Sequence, residues 1–118
     1  MSHRIARINE AVREVLNRAL TQVKDPRVAA GLVSVTAAEV AGDLSTAKIY
    51  LSILSEDEGA VLAGMKSAAG FLRTFLAREL DLRKTPALTF LKDRSAENGA
   101  HIAHLLSELE KKDKQDDA

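Results

Sequence analysis

A chain of 118 residues is sized for one compact domain with one core, and 46 % hydrophobic with 29 % charged residues is the balance of a soluble globular protein. Lys plus Arg and Asp plus Glu both number 17, so the formal net charge of zero exerts no overall pull on a polyanion. With no cysteine, disulfides, thiolate metal sites and cysteine nucleophiles are excluded and a cytoplasmic setting is expected, while no apolar run approaches the ~18 residues of a membrane span.

In chain order, Ile5, Ile8, Val12, Val15, Leu16, Ala19, Leu20 and Val23 recur at three- and four-residue steps, which predicts a long amphipathic helix. It should stop near Lys24, because the residue before Pro26 is pushed out of helical geometry. Leu32 to Val40 and Thr46 to Leu54 read as strands, the second alternating Ala47, Ile49, Leu51 and Ile53 against Lys48, Tyr50, Ser52 and Leu54. The turn chemistry of Ala41-Gly42-Asp43 between them predicts an antiparallel hairpin with one buried face.

Ser55-Glu56-Asp57-Glu58 has the spacing of a capping box, so a second helical stretch should open there. Its apolar positions run from Val61 to Leu80, but Ala68-Ala69-Gly70 interrupts it, and a glycine inside a helix costs ~0.5–1 kcal/mol. A kink is therefore expected at Ala68, Ala69 and Gly70. Leu88 to Leu91 reads as a short third strand, and Ser95 as the cap of a last helix carrying Ile102, Leu105, Leu106 and Leu109. Residues 111–118 have no apolar side chain to bury and are expected to be a disordered charged tail, which leaves 1–110 as the domain. Three strands must cover their apolar face with the helices, so the expected fold is a two-layer α+β domain.

The neutral total conceals a pattern. Residues 1–28 carry a net +3, 29–65 a net −4, 66–94 a net +4 and the remainder −3. Two basic blocks that converge on folding would make a surface for a polyanion. No phosphate loop, dinucleotide fingerprint or nucleophile elbow is present, so no enzyme activity is expected. Glu97, His101, His104 and Glu108 share one stripe of the last predicted helix and read as an exposed face with Glu–His pairs; no metal and no cofactor is expected. With one Tyr, three Phe and no Trp, base stacking is poorly equipped, and Tyr50 is the clearest candidate ring.

Four strings stand in register: Lys24-Asp25-Pro26-Arg27, Asp43-Leu44-Ser45-Thr46-Ala47-Lys48-Ile49-Tyr50-Leu51-Ser52, Ala68-Ala69-Gly70-Phe71-Leu72-Arg73, and Arg83-Lys84-Thr85-Pro86-Ala87-Leu88-Thr89-Phe90. In this order they resemble the bacterial ribosome-binding factor A family over roughly residues 3–110. The resemblance implies a type-II KH-like domain, a three-stranded sheet with helices on one face and an Ala-x-Gly helix–kink–helix in place of a GxxG loop. It implies an assembly factor that binds the immature small (30S) ribosomal subunit and its 16S rRNA. Such a factor assists late 16S rRNA maturation, including 5′-end processing, has no catalysis of its own, and is associated with growth in the cold.

His101 stands where the family commonly has arginine, and the acidic tail is short. The candidate phosphate contacts are Arg4, Arg7, Lys24, Arg27, Lys66, Arg73, Arg78, Arg83 and Lys84. A monomer with no membrane and no small-molecule substrate is expected. The alternatives are a general structured-RNA-binding KH-like module and a protein-interaction domain.

Overall fold

The computed structural model describes residues 2–29 and 32–95, in the order α1 (Ser2–Leu20), α2 (Pro26–Ala29), β1 (Leu32–Val40), β2 (Thr46–Leu54), α3 (Glu58–Ser67), α4 (Ala69–Glu79) and β3 (Ala87–Lys92). Of the expected last helix only Ser95 is described, its N–H donating to Asp93 Oδ1 at 2.8 Å rather than its side chain acting as the cap; the rest of that helix and the tail lie outside the described residues. The architecture is α+β, with one three-stranded mixed sheet in the order β1-β2-β3.

The stripe of α1 faces the core: Val12, Val15, Leu16 and Ala19 are buried, with Ile8 and Leu20 packed at the margin. Two asparagines on the same helix fix how it lies on β1. The Asn17 amide donates to the Val35 carbonyl at 3.0 Å while its Oδ1 accepts the Val35 N–H at 2.8 Å, and Asn9 Oδ1 accepts the Val40 N–H at 2.9 Å. These bonds satisfy backbone groups of an outer strand and make α1 run antiparallel to it.

The helix closes at Leu20, four residues before the expected stop. The N–H groups of Thr21, Gln22 and Val23 each bond three residues back, to Arg18, Ala19 and Leu20 carbonyls, which tightens the last turn. Val23 stays buried although the helix has ended. Asp25-Pro26 does more than stop α1, since Asp25 opens the four-residue α2 that the sequence did not disclose. The Asp25 carbonyl accepts from the Val28 and Ala29 N–H groups, its Oδ1 from the Arg27 N–H at 2.9 Å, and Pro26 sits where a missing N–H does no harm.

β1 and β2 pair antiparallel from Leu32↔Leu54 to Val40↔Ala47, with a bulge between Val35 and Ala37. The extra residue shifts the inward set of β1 from Val35 to Ala38 and Val40, so both ends of the strand still face the core. β2 buries Ala47, Ile49, Leu51 and Ile53, as its alternation predicts. In the connecting turn Leu44 takes φ 63° with its side chain only 4 % exposed, and Asp43 Oδ1 accepts both the Ser45 N–H and hydroxyl. Burial of the leucine offsets a left-handed conformation that costs about 1–2 kcal/mol.

β3 pairs parallel to β2, from Thr46↔Ala87 to Leu51↔Lys92, and is one residue longer at each end than expected. The connection between them is α3 and α4. Asp57, not Ser55, caps α3: its Oδ1 accepts the Ala60 N–H at 2.9 Å, and Ser55 Oγ in turn accepts the Asp57 N–H. Glu58 is then free to pair with Lys92 at 2.5 Å, tying α3 to the end of β3. Between the two helices Ala68 forms a one-residue turn (φ −85°, ψ −1°, at the edge of the right-handed helical region), its N–H shared by the Gly64 and Met65 carbonyls. Gly70 lies inside α4 without positive φ, and a Cβ there would meet nothing within 4 Å. Val61, Met65, Leu72 and Leu76 carry the buried face across the break and roof the sheet.

Candidate nucleic-acid interface

Eight of the nine basic candidates fall into two groups. Asn9 meets Val40, the last residue of β1, so Arg4 and Arg7 in the preceding turns of α1 lie toward the end of the sheet where β1 turns into β2. The segment entering β3 arrives at that same end, because the Ala87 N–H donates to the Ser45 carbonyl at 3.0 Å. It brings Arg83 and Lys84 with it. Asp43 there is held below the usual carboxylate range mainly by the Ser45 hydroxyl, with Lys84 adding a weaker pull.

Arg73 joins this group by a different bond from the one its charge suggests. Its Nε donates to the Pro86 carbonyl at 3.0 Å and its Nη2 to the Thr85 carbonyl at 2.9 Å. The guanidinium therefore fastens the β3 entry segment to α4. Because both acceptors are neutral, the positive charge stays uncompensated and still contributes to the field.

The second group surrounds the end of α3. Arg27 grips Asp25 through two nitrogens, Nε to Oδ1 at 3.0 Å and Nη2 to Oδ2 at 2.7 Å, and Nη2 also reaches Ser67 Oγ at 3.3 Å. That grip, with the Arg27 N–H, lowers the Asp25 carboxyl to about 2 and raises the Arg27 guanidinium. Lys66 and Lys24 are exposed beside it, Lys66 in the last turn of α3 and Lys24 just before Asp25. Close packing makes this possible: α2 rests on Gly64, where an added Cβ would stand 2.8 Å from Val28 Cγ2 and 3.2 Å from Arg27 Cβ.

The first turns of α4 separate the two groups, with Ser67 on the Arg27 side and Arg73 on the Thr85 side. Arg78, further along α4, is exposed and joins neither by a bond. Among the described residues no hydrogen bond or ion pair holds Arg4, Arg7, Lys24, Lys66, Arg78 or Arg83, which leaves those head groups available to an anion. Arg18, outside the candidate set, is paired with Glu79 at 2.8 Å.

A groove of about 410 Å³ runs between the segment after α1 and the helix break, lined by Val23, Lys24, Ala68 and Phe71 among others. Phe71 is 38 % exposed there. Tyr50, the expected ring, is half-buried on the outer face of the sheet, with its hydroxyl donating to Glu39 at 2.7 Å. Glu97, His101, His104 and Glu108 lie outside the described residues, and among the described residues no group of acidic and histidine side chains gathers as a metal site. No helix among the described residues is long and apolar enough to cross a membrane.

Residues 4–106 match the family model of ribosome-binding factor A. The chain belongs to the ribosome-binding factor A family. It is 44 % identical over 119 residues to ribosome-binding factor A of Nostoc sp., covering 98 % of this chain and 90 % of that one. To the Heliobacterium modesticaldum protein of the same name it is 45 % identical over 114 residues, with 94 % and 93 % covered. The crystal structure of ribosome-binding factor A from Thermus thermophilus superposes with a TM-score of 0.67 at 30 % identity, covering 75 % of this chain and 94 % of that chain. A homology model of the Thermus thermophilus factor, fitted into a cryo-EM map of a 30S complex, gives a TM-score of 0.61 at 30 % identity, over 73 % and 91 % of the two chains.

Two features of this member of the ribosome-binding factor A family escaped sequence reasoning. The anchoring role of Arg73 had no signal, since its partners are backbone carbonyls whose approach depends on the fold. Phe71 did have one: it falls off the stripe of Leu72, Phe75 and Leu76, immediately after the Ala-Ala-Gly string.

Proposed function

We propose that this chain binds the immature small ribosomal subunit through phosphates of its 16S rRNA and assists late maturation of that RNA, including 5′-end processing, without catalysis of its own. The observation that carries the reading is the pair of exposed basic groups flanking the helix break on a chain of zero net charge, with most of the head groups unpaired among the described residues. Neutrality keeps non-specific adhesion low, and a local patch still engages RNA. The 30S complex of the Thermus thermophilus relative supports the choice of partner. In this reading the domain is KH-like, the break at Ala68 stands in for a GxxG loop, and the protein acts as a cytoplasmic monomer that supports growth in the cold.

Phosphate contact dominates over base readout in this proposal, because long Lys and Arg side chains suit it and exposed aromatics are few. If five or six phosphates are neutralised, log K should fall with log salt at a slope of about −4 to −5. The test is co-sedimentation of the tagged protein with free small subunits across a salt series, with assembled ribosomes as the comparison. Lys24→Glu/Lys66→Glu should weaken association and flatten the slope while leaving the melting temperature unchanged, because neither head group holds the fold together. Glu56→Lys is the control expected to leave binding intact, since Glu56 is exposed whereas Asp57 caps α3 and Glu58 pairs with Lys92. Association that ignores salt and survives the double reversal would refute the reading.

A further inference from the structure

From the groove at the helix break we infer a seat for one unpaired RNA base, stacked on Phe71 with its flanking phosphates on Lys24 and Lys66; the inference rests on the RNA-binding reading above and adds a base contact to it. Phe71 is 38 % exposed, whereas the stripe residues Leu72 and Leu76 are buried at 1 % and 0 %. The fold thus places an aromatic ring outward on the first turn of α4 when the core has no use for it. The ring has an aromatic neighbour. Phe75, one turn on, meets it at a centroid distance of 6.1 Å with the planes tilted by 52°, a contact that supports the ring from one side.

The surroundings fit a nucleotide better than an apolar partner. The groove volume of about 410 Å³ sits at the low end of the roughly 300–1,000 Å³ of small-ligand sites, too small for a docking helix. Its apolar lining is Val23, Ala68 and Phe71, and its polar lining includes Gln22, Lys24 and Ser67. A glutamine amide and a serine hydroxyl are groups that hydrogen-bond base edges. The one carboxylate on the groove, Asp25, is gripped at both oxygens by Arg27 and so presents no bare negative charge to a phosphate. On the opposite flank of α4, the shallow groove of Gly70, Arg73, Thr74, Ala77 and Thr85 has cationic character without any ring. A strand crossing the break would meet backbone contacts on both sides and a stacking platform on one.

The test uses the full chain and two variants. Phe71→Leu keeps an apolar side chain and removes the π face; it should weaken small-subunit association about 5- to 150-fold, the range that stacking of a single base carries, with an unchanged melting temperature. The slope of log K against log salt should stay at the parent value, because no cation is removed. Phe71→Trp introduces the chain's only tryptophan, and its emission should be quenched by a single-stranded adenine-rich RNA octamer. The same octamer carrying abasic sugars should not quench it. Parental affinity in Phe71→Leu, or equal quenching by the abasic octamer, overturns the inference. Weakened subunit binding in Phe71→Leu with no quenching by any octamer assigns the groove to a protein partner and overturns it as well. A parent chain that ignores small subunits, while Phe71→Trp still reports base-dependent quenching, refutes the ribosomal reading and leaves the base seat standing.

Discussion

Glycine-to-alanine substitutions at positions 64 and 70 should have opposite signs although both lie in the connection between β2 and β3. At Gly70 the backbone has no positive φ and an added methyl meets nothing within 4 Å, so alanine removes unfolded-state freedom without strain. It should stabilise by about 0.4–1 kcal/mol, a rise in melting temperature of roughly 2–8 °C for a domain of this size. At Gly64 the same propensity gain of ~1 kcal/mol is opposed by an overlap that costs ~1–3 kcal/mol in a packed interior. Its new Cβ would stand 2.8 Å from Val28 Cγ2, 3.2 Å from Arg27 Cβ and 3.4 Å from Asp25 Oδ1. Val28 is itself only 4 % exposed, so α2 must shift outward to make room. The net effect is a loss of about 0–2 kcal/mol, with chemical-shift changes at Arg27, Val28 and Ser67 that Gly70→Ala does not produce. Thermal melts with amide spectra of both variants decide the matter. If Gly64→Ala is as stable as Gly70→Ala, α2 does not rest on α3 and the Lys24–Arg27–Lys66 grouping loses its support.

Two further outcomes follow from bonds in the two basic groups. The Asp25 carboxyl is lowered from 3.8 to about 2, chiefly by the Arg27 side chain and then by its backbone N–H, so the stabilisation it brings is complete above the unfolded value and disappears as pH falls through about 2. A carboxyl titration by NMR should find that midpoint, and a value near 3.8 would mean the Arg27 grip is absent in solution. Arg73→Lys retains the charge but not the fork that spans the Thr85 and Pro86 carbonyls; it should cost about 1 kcal/mol and speed amide exchange at Ala87, with the salt slope of subunit binding unchanged.

Periodicity carried what depends on local sequence. The alternation of Ala47, Ile49, Leu51 and Ile53 located the buried face of β2, and the stripe through Val12, Val15 and Leu16 located that of α1. It misplaced the end of α1 because Val23 is buried from a tightened turn at the same spacing a helix would give. Asp25-Pro26 read as a terminator, since a four-residue helix has too few positions to show a period. The capping-box spacing at Ser55 was satisfied by a neighbour two residues on, because Asp57 has the stronger acceptor. The basic residues were legible as charge and illegible as partners. Whether an arginine faces solvent, a carboxylate or two carbonyls is decided by segments distant in sequence, such as Arg73 and Pro86, or Arg27 and Ser67.

The parallel pairing of β3 with β2 has a kinetic consequence. The β1–β2 hairpin closes across residues 41–45, whereas β3 reaches its neighbour only after the whole of 55–86 has been traversed. For a flexible chain the longer closure loses about 1.6 kcal/mol more conformational entropy, so the hairpin with α1 should form early and β3 should dock late. Arg73 secures the entry to β3 only in that final step, and the entry carries Arg83 and Lys84. A partly folded chain therefore holds only part of its cationic surface, and the sheet must be finished before the protein presents both groups to the same RNA.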